Sequence, residues 1–173
     1  MNRRTMLQGL TAMAALPFFS GCSRAANPRD ANAAGPAALD HPPGFWRDKV
    51  SPAAFAVLFD DATEPAGSSP LDREKRDGTF VCAACHLPLF ESAHKFDSGT
   101  GWPSFTQPIA GSTGTRRDFK LILPRTEYHC ARCGGHQGHV FDDGPPPRGE
   151  RWCNNGVALA FVPKGQPLPA FRS

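Results

Sequence analysis

The sequence predicts a mainly β domain of twisted antiparallel sheets, led by a short N-terminal helical segment and clipped by a four-cysteine zinc site. Three observations carry that expectation. Two Cys-x-x-Cys turns, Cys82-Ala-Ala-Cys85 and Cys130-Ala-Arg-Cys133, suit one tetrahedral ion. Short runs alternating at every second residue recur from Thr79 onward, and no long helical period appears after residue 62. Glycine (17 residues) and proline (18 residues) are abundant, which favours short strands and turns over long helices.

With 173 residues the chain has room for one domain and a leader, and 40% hydrophobic residues with 13 Phe supply a core. The formal net charge is +3, with Arg3 and Arg4 in the leader. What remains is too weakly basic to argue for nucleic acid. Residues 1–22 read as an export signal. Asn2-Arg3-Arg4-Thr5-Met6-Leu7 is a twin-arginine pattern, and the apolar stretch from Leu10 to Phe19 is shorter than the roughly 20 residues of a transmembrane helix. Phe18-Phe19-Ser20-Gly21-Cys22 reads as a lipobox with Phe19 in place of Leu, which makes Cys22 a lipid-anchored first residue at a membrane face. The alternative is a soluble export signal cut near Ala31-Asn32-Ala33. Either places the protein in the periplasm or envelope. Folding around zinc before export gives four reduced thiols their metal before an oxidising compartment can pair them wrongly.

Residues 23–43, rich in Ala, Pro, Asn and Gly, read as a flexible linker, residues 44–165 as the domain and 166–173 as a tail. Ser51-Pro52 opens the helical segment as N-cap and first helical residue, with Phe55, Leu58 and Phe59 as its apolar stripe. Thr63-Glu64-Pro65 begins a loop, and residues 72–78 form a charged turn. Thr79-Phe80-Val81 leads into the first clip and Leu87-Pro88-Leu89-Phe90 leaves it. Phe119-Lys120-Leu121-Ile122-Leu123 and Val157-Ala158-Leu159-Ala160-Phe161-Val162 are expected strands. With no exposed apolar stripe asking for a partner, the chain reads as a monomer.

Residues 86–129 separate the two clips, so a shared ion would join distant hairpins, where a crosslink constrains the unfolded chain most. Gly134-Gly135 suits the backbone of such a knuckle. The alternative for an exported protein is two disulfides. Four thiolates would close the shell of one structural Zn2+ per chain and leave no position for catalysis.

Cys153 is left over from that clip, in Arg151-Trp152-Cys153-Asn154-Asn155. Arg151 and Asn155 would share its face in a strand, Arg151 stabilising a thiolate and Asn155 donating a hydrogen bond. His136 and His139 precede it, and either suits a proton donor; core packing or metal ligation are the other readings of the pair. Gly99-Thr100-Gly101-Trp102-Pro103-Ser104-Phe105 offers two aromatic walls, Trp102 and Phe105, on a loop held by Gly and Pro; a core tryptophan in a turn is the plain alternative.

Taken in order, these segments resemble the B-type family of methionine-R-sulfoxide reductases. Thr63-Glu64-Pro65, both clips, residues 95–105, His136-Gln-Gly-His139-Val-Phe-Asp-Asp-Gly-Pro145 and Arg151-Trp152-Cys153-Asn154-Asn155 carry the resemblance, over nearly all of the chain beyond the leader. It implies two antiparallel sheets, zinc on Cys82, Cys85, Cys130 and Cys133, and Cys153 as nucleophile. It further implies oxidised protein or peptide substrates, His139 with His136 as acid, Trp102 against the substrate methyl group, and a thioredoxin-like or other thiol reductant. Three departures stand out. Thr100 occupies a position where many relatives carry a resolving cysteine. Gln137 replaces a usual Leu, and Asn154-Asn155-Gly156 replaces an aliphatic residue followed by Asn-Ser. A lipid-anchored, non-catalytic module that binds oxidised or apolar peptide is the competing reading.

Overall fold

The computed structural model describes residues 37–120 and 123–173. The export signal, the lipobox at Cys22 and most of the linker lie outside the described residues. Helix α1 (Pro52–Asp60) forms where the sequence places it. Ser51 accepts the Ala54 N–H at 3.1 Å, Pro52 fills the first turn, and Asp61 ends the helix in the left-handed region at φ 51°. Such an N-cap is worth about 1 kcal/mol. The helix buries Ala54, Phe55, Val57 and Leu58, while Phe59 stays half-buried and stacks on Trp46.

Nine strands follow among the described residues: β1 (Gly78–Cys82), β2 (Pro88–Glu91), β3 (Lys95–Phe96), β4 (Ser104–Phe105), β5 (Thr113–Asp118), β6 (Arg125–Cys130), β7 (His136–Phe141), β8 (Arg151–Asn154) and β9 (Leu159–Pro163). They form two antiparallel sheets, a small one in the order β2-β1-β9 and a larger one in the order β3-β4-β8-β7-β6-β5. The expected mainly β, two-sheet architecture with a short helix is the one observed. An aromatic cluster joins the sheets. Phe105 stacks on Phe90 with centroids 4.1 Å apart and meets Phe80 edge-on at 5.0 Å, and Tyr128 packs against Trp152 at 4.9 Å.

Two sequence expectations need correction. The strand expected over residues 119–123 is absent from the described part of that segment: β5 stops at Asp118, and Phe119 and Leu123 are 73% and 77% exposed. The Asp118 side chain accepts the Lys120 N–H at 2.8 Å, which turns the chain away from the ladder, and Pro124 has no N–H to resume it. The last strand begins at Leu159, because residues Gly156–Ala158 make a 3-10 turn whose first N–H groups are taken by the Glu64 carboxylate. The tail from 166 is partly fastened. Arg172 donates its N–H to the Cys85 carbonyl at 3.1 Å, Arg132 donates to the Arg172 carbonyl at 2.6 Å, and the His86 ring meets the Ala170 carbonyl at 2.9 Å.

Gly138 on β7 is the tightest point of the large sheet. A Cβ there would lie 1.8 Å from the Cys153 carbonyl oxygen, a backbone atom that cannot swing aside. Gly138→Ala is therefore expected to part β7 from β8. Overpacking of this kind costs about 1–3 kcal/mol, and at about 2–4 °C per kcal/mol for a chain of this size the melting temperature should fall by roughly 2–12 °C. A calorimetric scan that overlays wild type would refute the contact.

Candidate active site

The site is built by strand register. Cys153 on β8 lies directly opposite Ser104 on β4 and His139 on β7; His139 in turn lies opposite Glu127 on β6, and Glu127 opposite Arg116 on β5. Residues directly opposite one another share a face of the sheet with Cβ atoms about 4.5–5.5 Å apart. One row across five strands therefore presents the thiol and an imidazole side by side. Alternation sends the neighbouring residues the other way, so Phe105, Trp152 and Tyr128 face the core.

His136 and His139 are three residues apart and would point to opposite faces of a regular strand. A β-bulge corrects this. Tyr128 faces Gly138 and His129 faces His136, so Gln137 is an extra residue in β7. The bulge returns His136 to the side of His139, with ring centroids 5.4 Å apart. His139 Nε2 lies 2.7 Å from Asp118 Oδ2, and His136 Nδ1 lies 2.9 Å from Glu127 Oε1. Asp118 also accepts from Arg125 at 2.6 Å, and Glu127 accepts from Arg116.

A pocket of about 130 Å³ opens on Cys153, lined by Thr63, Trp102, Arg125, His139, Phe141 and Asn155 among others. That is far below the 300–1,000 Å³ of a pocket for a drug-sized ligand, and it suits one side chain. Cys153 itself is half-buried. Trp102 is held by its indole N–H to the Glu64 carbonyl at 3.1 Å. Asn155 accepts the Glu64 N–H at 3.0 Å and donates to the Gln137 carbonyl at 2.9 Å, so it positions the bulge of β7 and touches neither histidine ring by hydrogen bond. His136 is buried behind His139 and does not line this pocket; it lines an adjoining cleft with Asp61, Asp118, Glu127 and His139. Phe105 is corrected outright. It is 0% exposed and belongs to the aromatic core, leaving Trp102 and Phe141 as the aromatic walls.

Burial pushes the Cys153 thiol above its ordinary value of 9.0; the Arg151 guanidinium pulls the other way, Asp143 adds to the rise, and the Thr100 hydroxyl lowers it. The expectation of a resting thiolate is thus corrected by desolvation. Arg151 is not free to act on the sulfur alone, since its Nε and Nη2 donate to both Asp143 carboxylate oxygens at 2.8 and 3.0 Å. Burial also holds His139 below its ordinary value, against the pull of Asp118, so the ring is neutral at pH 7. The carboxyl of Asp118 lies well below the usual range because it accepts from the Lys120 N–H, His139 and Arg125. As a carboxylate it accepts the Nε2–H of neutral His139, which leaves Nδ1 with a lone pair.

Glu64 is the residue that sequence reasoning passed over. It is buried. Its carboxylate accepts from the N–H groups of Gly156 and Val157 at 2.6 and 2.9 Å, and its backbone fixes both Trp102 and Asn155. Asp118, Glu127 and Asp143, which hold His139, His136 and Arg151, were likewise unassigned. Glu64 and Asp143 lay in segments that carried a signal by resemblance; Asp118 and Glu127 pair with their partners through folding alone.

The four clip sulfurs converge on one point. Cys82 and Cys133 are 3.6 Å apart, Cys85 and Cys130 are 3.5 Å apart, and all four lie within 4.8 Å of one another. Tetrahedral zinc with Zn–S of about 2.3 Å needs sulfurs about 3.8 Å apart, whereas a disulfide needs about 2.05 Å. All four are buried. Each clip is the same turn, with His86 N–H bonded to the Cys82 carbonyl and Gly134 N–H to that of Cys130. The residue after each second cysteine is left-handed, at φ 63° for His86 and 72° for Gly134. The donor set fits a closed structural zinc site and not a catalytic one.

Residues 50–163 match the SelR domain family. The chain is similar to the peptide methionine sulfoxide reductase MsrB of Bradyrhizobium diazoefficiens, 52% identical over 120 residues that cover 69% of this chain and 86% of that protein. It is also similar to the protein of that name from Pseudomonas fluorescens, 48% identical over 120 residues covering 69% and 92%. The peptide methionine sulfoxide reductase B1, chloroplastic, of Arabidopsis thaliana is 44% identical over 115 residues covering 66% and 57%.

Native mass spectrometry is expected to find one zinc per chain. Deleting residues 170–173, which cover the first knuckle, should speed zinc loss to a colorimetric chelator; an unchanged rate would show the tail to be ornamental. Alkylation of Cys153, followed by peptide mass, should accelerate with pH towards a midpoint above 9.0, because only the thiolate reacts and burial has raised its pKa. Arg151→Met should move that midpoint further up. A plateau already reached at pH 7 would mean that the guanidinium outweighs burial.

Proposed function

The chain belongs to the SelR-domain family of MsrB peptide methionine sulfoxide reductases, and on that premise we propose that Cys153 reduces the R diastereomer of methionine sulfoxide, in peptides and proteins, through a sulfenic acid. As a member it is an oxidoreductase acting on sulfur. The observation that carries the residue assignment is the register that sets a half-buried thiol opposite an imidazole at the floor of a pocket sized for one side chain.

The steps follow from the geometry. A methionine sulfoxide side chain enters with its methyl group against Trp102 and its oxygen towards His139, so one apolar and one protic subsite separate the diastereomers. The Cys153 thiol gives its proton to His139 Nδ1 as its sulfur attacks the sulfoxide sulfur. His139 passes the same proton to the oxygen, which would otherwise leave as a poor leaving group. The S–O bond breaks as an S–S bond forms between Cys153 and the substrate, and the released hydroxide then adds to the Cys153 sulfur as that S–S bond breaks and methionine departs: thiol plus sulfoxide becomes sulfenic acid plus thioether, with no net proton taken up. A thiol at rest, as burial dictates, thus brings the proton that the departing oxygen needs. Arg151 and Thr100 stabilise the charge on sulfur while that proton is in transit.

Recycling falls to an external thiol or thioredoxin-like protein. Among the described residues the other four cysteines are gathered in the clip, and Thr100 stands where many relatives carry a resolving cysteine. The leader supports a place in the periplasm or envelope, where oxidised exported proteins would be the substrates. The non-catalytic reading is the weaker one, because the departures that suggested it supply no group to these steps: the Asn154 amide borders the pocket but is spent on Gln137, Tyr128 and Asn155. Asn154 is wholly buried, and Gly156 is required where the Ser69 hydroxyl would lie 2.0 Å from any Cβ.

Wild-type protein with dithiothreitol should reduce R and leave S methionine sulfoxide, and one turnover without reductant should leave a dimedone-reactive Cys153. Cys153→Ser should lose at least a thousandfold in rate. Steady reduction by that variant, or preference for the S form, would sink the assignment.

A further inference from the structure

Two of the chain's departures from its relatives meet inside the protein. Gln137 and Asn154 are both completely buried, and Asn154 Nδ2 donates to Gln137 Oε1 at 3.4 Å. At one end Gln137 Nε2 lies 3.6 Å from Cys82 Sγ, within reach of the large sulfur atom. At the other end the Tyr128 hydroxyl donates to Asn154 Oδ1 at 2.7 Å and lies 3.2 Å from the Cys153 carbonyl.

We propose that Gln137 is a positioning residue for the metal clip: its amide donates a hydrogen bond to the Cys82 sulfur, and Asn154 and Tyr128 hold that amide in place from the strand that carries Cys153. The direction of the chain of bonds is dictated by the sulfur. A metal-bound thiolate only accepts, so the Gln137 NH2 must face Cys82 and its oxygen must face Asn154. Asn154 then presents its NH2 to Gln137 and its oxygen to the Tyr128 O–H. Asn154 Nδ2 also donates to the Asn155 carbonyl at 2.7 Å, so every polar group of the chain finds a partner, as a buried polar network requires. Relatives with an aliphatic pair at these two positions have no side-chain donor to give this sulfur. An N–H···S bond withdraws charge from a thiolate and steadies its ligation, and partners outside the ligand shell are commonly worth about 10–100-fold in metal affinity. The inference does not depend on the reaction.

The test separates the sulfur contact from mere packing. Gln137→Leu alone takes one acceptor from the buried Asn154 amide, leaving its NH2 only the Asn155 carbonyl, and should lower stability. Adding Asn154→Val restores an apolar pair and should recover the melting temperature. This double variant, loaded with zinc, should still release it to a chelator about tenfold faster than wild type. Loaded instead with cobalt, its sulfur-to-metal charge-transfer band should move to lower energy, because the sulfur has become a stronger donor. Unchanged release and an unchanged band would overturn the proposal, and so would faster release with an unmoved band, which would assign the amide to packing. Should the double variant fail to fold, wild-type protein loaded with the NMR-active cadmium isotope decides. Scalar coupling between the metal and the Gln137 side-chain N–H is expected, and its absence refutes the bond.

Discussion

The site depends on one constraint, the register that places Cys153 between Ser104 and His139. A slip of a single residue would turn every side chain of β8 to the other face and bring Trp152 where the thiol now stands. Several independent features oppose that slip. Trp152 and Phe105 are committed to the aromatic core from the opposite face. Gly138 lets the β7 backbone approach the Cys153 carbonyl more closely than any other residue type allows. Glu64 binds the chain immediately after β8 through two N–H groups. None of these groups needs to touch substrate, yet each fixes where the sulfur points.

The same row explains the electrostatics. Each cation near the thiol has its own carboxylate: Arg151 has Asp143, Arg125 has Asp118, and Arg116 has Glu127. The surroundings of Cys153 are therefore nearly neutral, and desolvation decides its resting state. A guanidinium already engaged by a carboxylate lowers a thiol pKa less than an unpaired one would. A neutral resting site also suits a reaction in which one proton moves from sulfur to oxygen and none enters from water. Asp118 contributes by fixing the tautomer of His139, which decides which ring nitrogen is available to the thiol.

What could be read from the sequence was what depends on local spacing. The clips, the helix with its Ser51 cap, the spare cysteine and the class of fold all follow from patterns within a few residues. The site residues that went unread, Glu64, Asp118, Glu127 and Asp143, are ordinary surface-type acids whose meaning comes from partners set by strand pairing or, for Glu64, from the far end of the chain. The Phe105 error has a simple cause. A Gly- and Pro-rich loop hides where alternation begins, and β4 starts at Ser104, which sends Phe105 to the core. The strand expected after Asp118 failed for the opposite reason. Residues 119–123 alternate well, but the Asp118 side chain turns the backbone before pairing can continue. His136 shows the limit of periodicity most plainly, since only an unpredicted bulge brings it beside His139.

That bulge also links the metal clip to the chemistry. The second knuckle is closed onto the start of β7 by the Cys130 N–H, which donates to the Gly135 carbonyl at 2.9 Å. His136 follows at once, and the extra residue is Gln137. The knuckle therefore fixes the phase at which β7 enters the sheet, and the bulge converts that phase into the facing of two histidines. Cys82 and Cys85, at the end of β1 and beyond it, bring the small sheet to the same point. A closed four-sulfur shell has no place for substrate, so its influence on catalysis must travel through backbone geometry. The path is short: from Cys130 to Gly135, through the bulge to His139, and across one ladder pair to Cys153. A metal held by these four sulfurs at the root of β7 would in this way set the geometry of a site it does not touch.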